Sequence, residues 1–479
     1  MIRLDRGKSL AAMALSMAGL LTPLLAGCAS PGRDEFTPAQ VTWDDFAGRR
    51  AGPEAGAAFE LPDEPELTDL LTFAALHNDG LRAAFHRWRA AAARVDQAGA
   101  WPDPKFTYAY YFLEVETRVG PQRQSFSLAQ GLPWPAELAA AEDAASQLAL
   151  AEWRRFQAAK LELFERVWAA AAESHYLAGA VEVAGENLDL LGQPERVVRS
   201  RYEAGAASHP DLLRLQVEIG KLEDRLAGLR QRARPVAARL NAALGRPASQ
   251  QPPRLKNLPP AAAPPDRARL LARLDEANPE LAALTAEAAA AEHRIEQARL
   301  GYLPDLGLAA TFIDTRDRVD ARPADNGNDA LMGMVTASIP LWRKKLDAIV
   351  REARQRRMAI AARRRQARRD LETDLDEALY HLRNARRKAD LYGRTLLPKA
   401  RESLRVTQTA YSAGRQTFTD LIEAQQVLLE FELARRRAEA DRLRLLGTLE
   451  RLIGGPLSRS EPGPSPATRP AADGEAAGR

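Results

Sequence analysis

YSAGRQTFTDLIEAQ, Tyr411 to Gln425, is echoed 209 positions upstream by YEAGAASHPDLLRLQ, Tyr202 to Gln216. Tyr, Ala, Gly, Asp, Leu and Gln recur in register, at Tyr411/Tyr202, Ala413/Ala204, Gly414/Gly205, Asp420/Asp211, Leu421/Leu212 and Gln425/Gln216. Each copy reads as a tight turn between two long helices. Gly205 and Gly414 supply the positive φ that ends a helix. Ser208 or Thr417 then caps the next helix, and the acid three residues later completes a capping box. A duplicated helical hairpin is the organising expectation.

Outward from the two turns, the same programme runs twice. Residues 66–100 are helix formers stopped by Trp101-Pro102-Asp103-Pro104, and 266–300 are helix formers stopped by Tyr302-Leu303-Pro304-Asp305. KFTYAYYFLEVE (105–116) and QSFSLAQ (124–130) then alternate with a period of two. LGLAATFID (306–314) and MGMVTASI (332–339) take the same places in the second half. Helix resumes from 136 to 202, and again from Trp342 toward Pro398 and the second turn. Repeat one therefore spans 64–246 and repeat two 266–455. They are joined by a connector, 247–265, whose seven prolines forbid a continuous helix. Residues 456–479, rich in Pro, Ser and Ala, read as a disordered tail.

The helices carry a contact seam. Leu371, Leu375, Ala378, Leu382, Ala385, Ala389, Tyr392 and Leu396 follow a 4-3 spacing, taken up after the turn by Leu421, Ala424, Leu428 and Phe431. Fold class follows: mostly α, with a small β part, in two helix-strand-strand-helix halves.

At the N-terminus Arg3, Arg6 and Lys8 precede a short apolar run ending Leu25-Ala26-Gly27-Cys28. Residues 1–27 read as a signal peptide, with Cys28 as the lipidated first mature residue and 28–63 as a lipid tether. Cys28 is the only cysteine among 479 residues, so no intramolecular disulfide is possible. Net charge is +4, and it falls to +2 when Arg3, Arg6, Lys8 and Asp5 leave with the signal. That balance, in an exported chain, argues against nucleic acid as partner despite the basic run Arg343 to Arg369. The plain account of that run is a solvated helix face; the more specific alternative is that Arg343, Lys344 and Lys345, beside Trp342, meet anionic headgroups on the periplasmic side.

No later stretch reaches the roughly 18 apolar residues of a spanning helix, so a bilayer would be crossed by strands. Trp101, Trp134, Tyr302 and Trp342 flank those strands, as interfacial rings do. Four strands cannot close around a lumen, and open edges in lipid cost several kcal/mol per unpaired group, so closure requires further copies. The six histidines are scattered, without metal-ligand spacing, and no nucleophile elbow, phosphate loop or dinucleotide fingerprint is present. The chain is read as neither an enzyme nor a cofactor carrier.

From about 64 to 454 the chain resembles the TolC family of outer-membrane efflux proteins. PDPKF, LPDLGL, SIPLW and the two YxAG(x)5DL turns carry the resemblance. It implies a homotrimer with a 12-stranded transmembrane β-barrel and a periplasmic α-helical barrel, in the family's lipoprotein subset. Implied partners are outer-membrane lipid, a periplasmic adaptor and an inner-membrane transporter. By the same resemblance the second turn is a periplasmic gate, with Tyr411 near its bonding network and Asp420 and Glu423 as lumenal acids. The basic residue the family places two after the Gly is Gln416 here, with Arg415 one place earlier. The competing reading is a periplasmic coiled-coil lipoprotein scaffold without a pore.

Overall fold

The computed structural model describes residues 59–203, 209–253, 255, 266–320 and 323–457. The signal peptide, Cys28, nearly all of the tether, Gly205 and Ser208 of the first turn, most of the connector and the tail from 458 lie outside the described residues. So does the side chain of Asp211.

In chain order the elements are α1 (Leu67–His77), α2 (Asp79–Ala98), β1 (Lys105–Val115), β2 (Gln122–Leu132), α3 (Pro135–Glu203) and α4 (His209–Leu244). The second half gives α5 (Arg267–Ala277), α6 (Pro279–Leu300), β3 (Asp305–Thr315), β4 (Ala330–Ser338), α7 (Arg343–Asp390), α8 (Leu397–Ser412) and α9 (Phe418–Leu452). At about 1.5 Å per residue, the 69 residues of α3 extend roughly 100 Å.

Each expected first helix is in fact two. The break falls at Asn78 and at Asn278, where the asparagine leaves the helical conformation and caps the following helix through Leu81 N–H and Leu281 N–H. Both asparagines also donate to the far end of their own repeat, Asn78 to the Ala243 carbonyl at 3.1 Å and Asn278 to the Leu452 carbonyl at 2.9 Å. Those carbonyls precede Gly245 (φ 73°) and Gly454 (φ 79°), which end α4 and α9. A Cβ on Gly245 would stand 2.3 Å from the His77 oxygen, and one on Gly454 2.1 Å from that of Ala277. Only glycine fits either place. The 209-residue offset of the turns thus extends to the carbonyls of Ala243 and Leu452 and to Gly245 and Gly454, while the asparagines that meet them are 200 residues apart; together they form a matched pair of latches that bind the start of each repeat to its end.

The seam is buried through Leu371, Leu375, Ala378, Leu382 and Ala385 and then changes register. Residues Leu391–Leu396 form a π-helical turn in which Leu397 N–H bonds the Tyr392 carbonyl, five residues back. Pro398 cannot donate the next helical hydrogen bond, so a wider turn is tolerated here. The extra residue turns Leu397, not Leu396, into the core at 2% exposure. Beyond the turn Leu421 and Leu428 are buried, as the spacing predicts, while Ala424 and Phe431 are half-buried against them.

Part of the basic run on α7 is not merely solvated. Arg363 pairs with Glu287 at 3.5 Å, Arg368 with Asp275 at 2.8 Å, and Arg357 with Glu292, tying α7 to α5 and α6.

Candidate functional site

Two regions carry the features that the packing alone does not explain. The first is the sheet, four antiparallel strands in the order β1-β2-β3-β4. Residues directly opposite across an antiparallel pair share a face, so the register sorts the chemistry. Tyr108, Phe126, Phe312 and Leu331 form one continuous row across all four strands, and Phe106, Leu128, Ala310 and Gly333 form the next such row on the same face. Thr107, Ser127, Thr311 and Met332 lie on the opposite face, where Thr311 donates to Ser127 at 2.9 Å. One face is aromatic and aliphatic, the other small and largely polar.

The apolar face has no cover among the described residues. Phe106 is 67% exposed, Phe112 92% and Val335 75%. β1 and β4 are each paired on one side only.

At the end of the sheet away from the helices, the β1–β2 and β3–β4 loops clamp together. Arg118 pairs with Asp325, and Gly327 N–H bonds the Val119 carbonyl at 2.7 Å. The Arg118 guanidinium holds the Asp325 carboxyl below its ordinary range.

The four flanking aromatics all stand at the helical end of the sheet, in two different settings. Trp134 is half-buried and donates from Nε1 to the Pro304 carbonyl at 2.9 Å, where β2 meets β3. Tyr302 is half-buried as well, and its hydroxyl donates to Asp347. Trp101 and Trp342, at the outer strands, are exposed, Trp342 by 79%.

The second region is the pair of turns. α8 ends in a Schellman motif about Gly414 (φ 72°): Gly414 N–H bonds the Tyr411 carbonyl and Arg415 N–H that of Ala410, both at 2.9 Å. Thr417 and Asp420 then make the expected capping box. Asp420 Oδ2 accepts from the Thr417 amide at 2.9 Å and its hydroxyl at 2.7 Å, and Asp420 N–H returns to Thr417 Oγ1 at 3.3 Å. These bonds, the hydroxyl first, hold the Asp420 carboxyl below its ordinary value. Tyr411 lies inside the hairpin, 8% exposed, with its ring edge-on to Phe418 at 6.0 Å. Glu423 is exposed one turn beyond Asp420, with no ion-pair partner among the described residues.

Sequence reasoning missed the bonds that join the two hairpins. Arg214 donates to Thr419 Oγ1 at 2.9 Å, and Gln426 donates to Glu218 Oε2 at 2.7 Å. Arg214 stands where Glu423 stands in the second copy, so a comparison of the two repeats residue by residue signals it. Above these bonds a cleft between α3, α4 and α9 is lined by Asn187, Glu218, Lys221 and Gln425. Gln425 is 5% exposed and neither atom of its amide has a hydrogen-bond partner among the described residues. Arg415 and Gln416 are exposed and make no cross-hairpin bond among those residues.

No described helix is long and apolar enough to cross a membrane, and no group of His, Cys, Asp and Glu among the described residues is arranged as a metal site.

The comparisons accord with this plan. The family described as outer membrane efflux protein matches residues 70–246 and 270–455. Among solved structures, the outer membrane protein VceC from Vibrio cholerae is 19% identical, with 81% of this chain and 96% of that one covered at a TM-score of 0.68. The CmeC outer membrane channel of Campylobacter jejuni is 13% identical over 90% and 92%, with a TM-score of 0.70. The open state of the MtrE outer membrane channel of Neisseria gonorrhoeae is 18% identical over 82% and 90%, at 0.64. A comparison with curated protein sequences gives no match.

Proposed function

The chain belongs to the outer membrane efflux protein family, and on that premise we propose that it is the passive, lipid-anchored exit duct of a tripartite efflux or secretion system. The carrying observation is the uncovered sheet. Four strands, with an apolar face and two open edges, leave groups that cost several kcal/mol each in lipid unless sister copies pair with them. Three copies supply twelve strands, the apolar face turned to lipid and the Ser127–Thr311 face to water. Cys28 carries the acyl chains in this reading. In this reading a pump in the inner membrane supplies the energy, coupled through an adaptor on the helical barrel.

The internal joint between the repeats supplies a template for the joint between copies. Trp134 and Pro304 meet where β2 passes β3; Trp342 after β4 and Pro102 before β1 are their counterparts. Counted from Pro133 and its counterpart Pro340 on one side and from Pro304 and Pro102 on the other, the internal pair Leu128/Ala310 maps to Val335 of one copy and Tyr108 of the next. Cysteines at 335 and 108 should oxidise to a covalent trimer, because paired strands bring Cα atoms within the usual disulfide range. Detergent-extracted protein should also insert into planar bilayers and conduct ions. A water-soluble monomer with neither conductance nor cross-linking refutes the duct.

The gate falls on the second hairpin. Three features support that placement: the π turn, the unbonded Gln425 amide and the few bonds to the first hairpin, all marks of low local stability. Arg214–Thr419 and Gln426–Glu218 hold it closed in place of the basic residue missing at 416. The exposed Glu423 carboxylates, three around an axis, favour cations at the constriction. Arg214→Ala should raise single-channel conductance, and Glu423→Ala should lower cation selectivity.

A further inference from the structure

We propose that Arg343, Lys344 and Lys345 form a binding site for the phosphate of an anionic lipid in the periplasmic leaflet, one site per copy. The inference rests on the reading of the sheet as membrane-spanning. The triplet begins α7 directly below β4, at the end of the sheet where the aromatic residues stand. Leading into it, Ile339 is 71% exposed and Leu341 74%. Such a knuckle of bare apolar side chains followed by three cations suits a surface that is hydrocarbon above and anionic phosphate below.

The three cations neutralise no acid among the described residues. None has an ion-pair partner among the described residues, whereas Arg357, Arg363 and Arg368 further down the same helix all reach acids. Arg343 lies over the Tyr302 ring, 5.6 Å from its centroid, and the nearby acid, Asp347, already accepts the Tyr302 hydroxyl. Their position also works against the helix. Three positive charges occupy the end that favours negative charge, and α7 has no acid in its first turn and no side-chain cap. The corresponding exit of the first repeat reads Pro135-Ala136-Glu137, with an acid in the first turn of α3. A duplicated joint that keeps the acid once and carries three cations the other time marks a function particular to the second repeat.

The probe is phosphatidylglycerol against phosphatidylcholine, titrated onto the delipidated full-length protein and read by native mass spectrometry. Wild type should hold one phosphatidylglycerol per copy in preference to phosphatidylcholine. At about 1 kcal/mol per cation, R343Q/K344Q/K345Q should weaken that binding by about 100-fold. R365Q/R369Q removes exposed charge about six turns further down α7 and should leave it unchanged. Inorganic phosphate at millimolar concentration should not displace the lipid; displacement would show a free-phosphate site and overturn the lipid assignment. Equal binding of the two lipids, or equal loss in both variants, would also overturn it. The same preparations, tested for conductance, separate the two readings. A conducting wild type without lipid preference sinks this site alone, and one that neither inserts nor conducts sinks the duct with it.

Discussion

The two hairpins share a frame and differ at their working ends. Asn78 and Asn278 make the same latch, Gly245 and Gly454 the same helix stop, in the same bonds. At the turns the likeness ends. Tyr411 is buried against Phe418, whereas Tyr202 is 41% exposed with its ring 5.5 Å from that of His209, which holds Phe418's place. Arg214 holds in the first repeat the position that Glu423 holds in the second, and the first hairpin's arm is one unbroken helix where the second carries a π turn. Duplication preserved what binds each repeat into one body. Divergence fell on the charges and on the helix regularity of the ends, the parts that a gate and a membrane surface would use.

The frame can be broken most severely at its glycines. Gly245→Ala and Gly454→Ala each place a Cβ against a backbone oxygen at positive φ and should cost about 4 kcal/mol or prevent folding. Thermal unfolding checks this, and two unequal costs would mean that the latches are not equivalent. Next in size is the contrast between the turns. Tyr411→Ala should lose about 3 kcal/mol as a buried aromatic, and Tyr202→Ala about 0.5 kcal/mol as an exposed one; matching losses would erase the asymmetry. Asn78→Ala and Asn278→Ala should each cost about 2 kcal/mol, a cap plus a buried hydrogen bond.

The smallest effect is one of pH. Asp420 has its folded pKa depressed by Thr417, so its cap is fully present above the unfolded value of about 4. It is lost as pH falls through the depressed folded value. Hydrogen exchange in the first turn of α9 should therefore speed up in acid, after correction for intrinsic exchange. Asp420→Asn should show no such step; an identical step in that variant would assign it to another group.

Much of the fold is legible in the chain because it is local or periodic. The four strands stand within two residues of their alternating stretches, and the capping box at Thr417 and Asp420 forms as spaced. The asparagine breaks escaped because Asn78 and Asn278 sit inside otherwise helical composition, and a cap becomes evident only when the distant carbonyls of Ala243 and Leu452 come to meet it. The seam slipped after Ala385 because a π turn adds a residue that no fixed period contains. Tyr411 was placed near the gate by resemblance; its burial depends on Phe418, seven residues on, folding back across the turn.

By itself the sequence determined the duplication, the alternation of the strands and the need for closure, since these follow from spacing, side-chain period and the count of unpaired backbone groups. Only the tertiary structure decided which duplicated parts remain equivalent. It alone joined Arg214 to Thr419, ran one apolar row across four strands and left Arg343, Lys344 and Lys345 without acids among the described residues. Each of those depends on segments up to some 200 residues apart arriving at the same place, and no local pattern records that arrival.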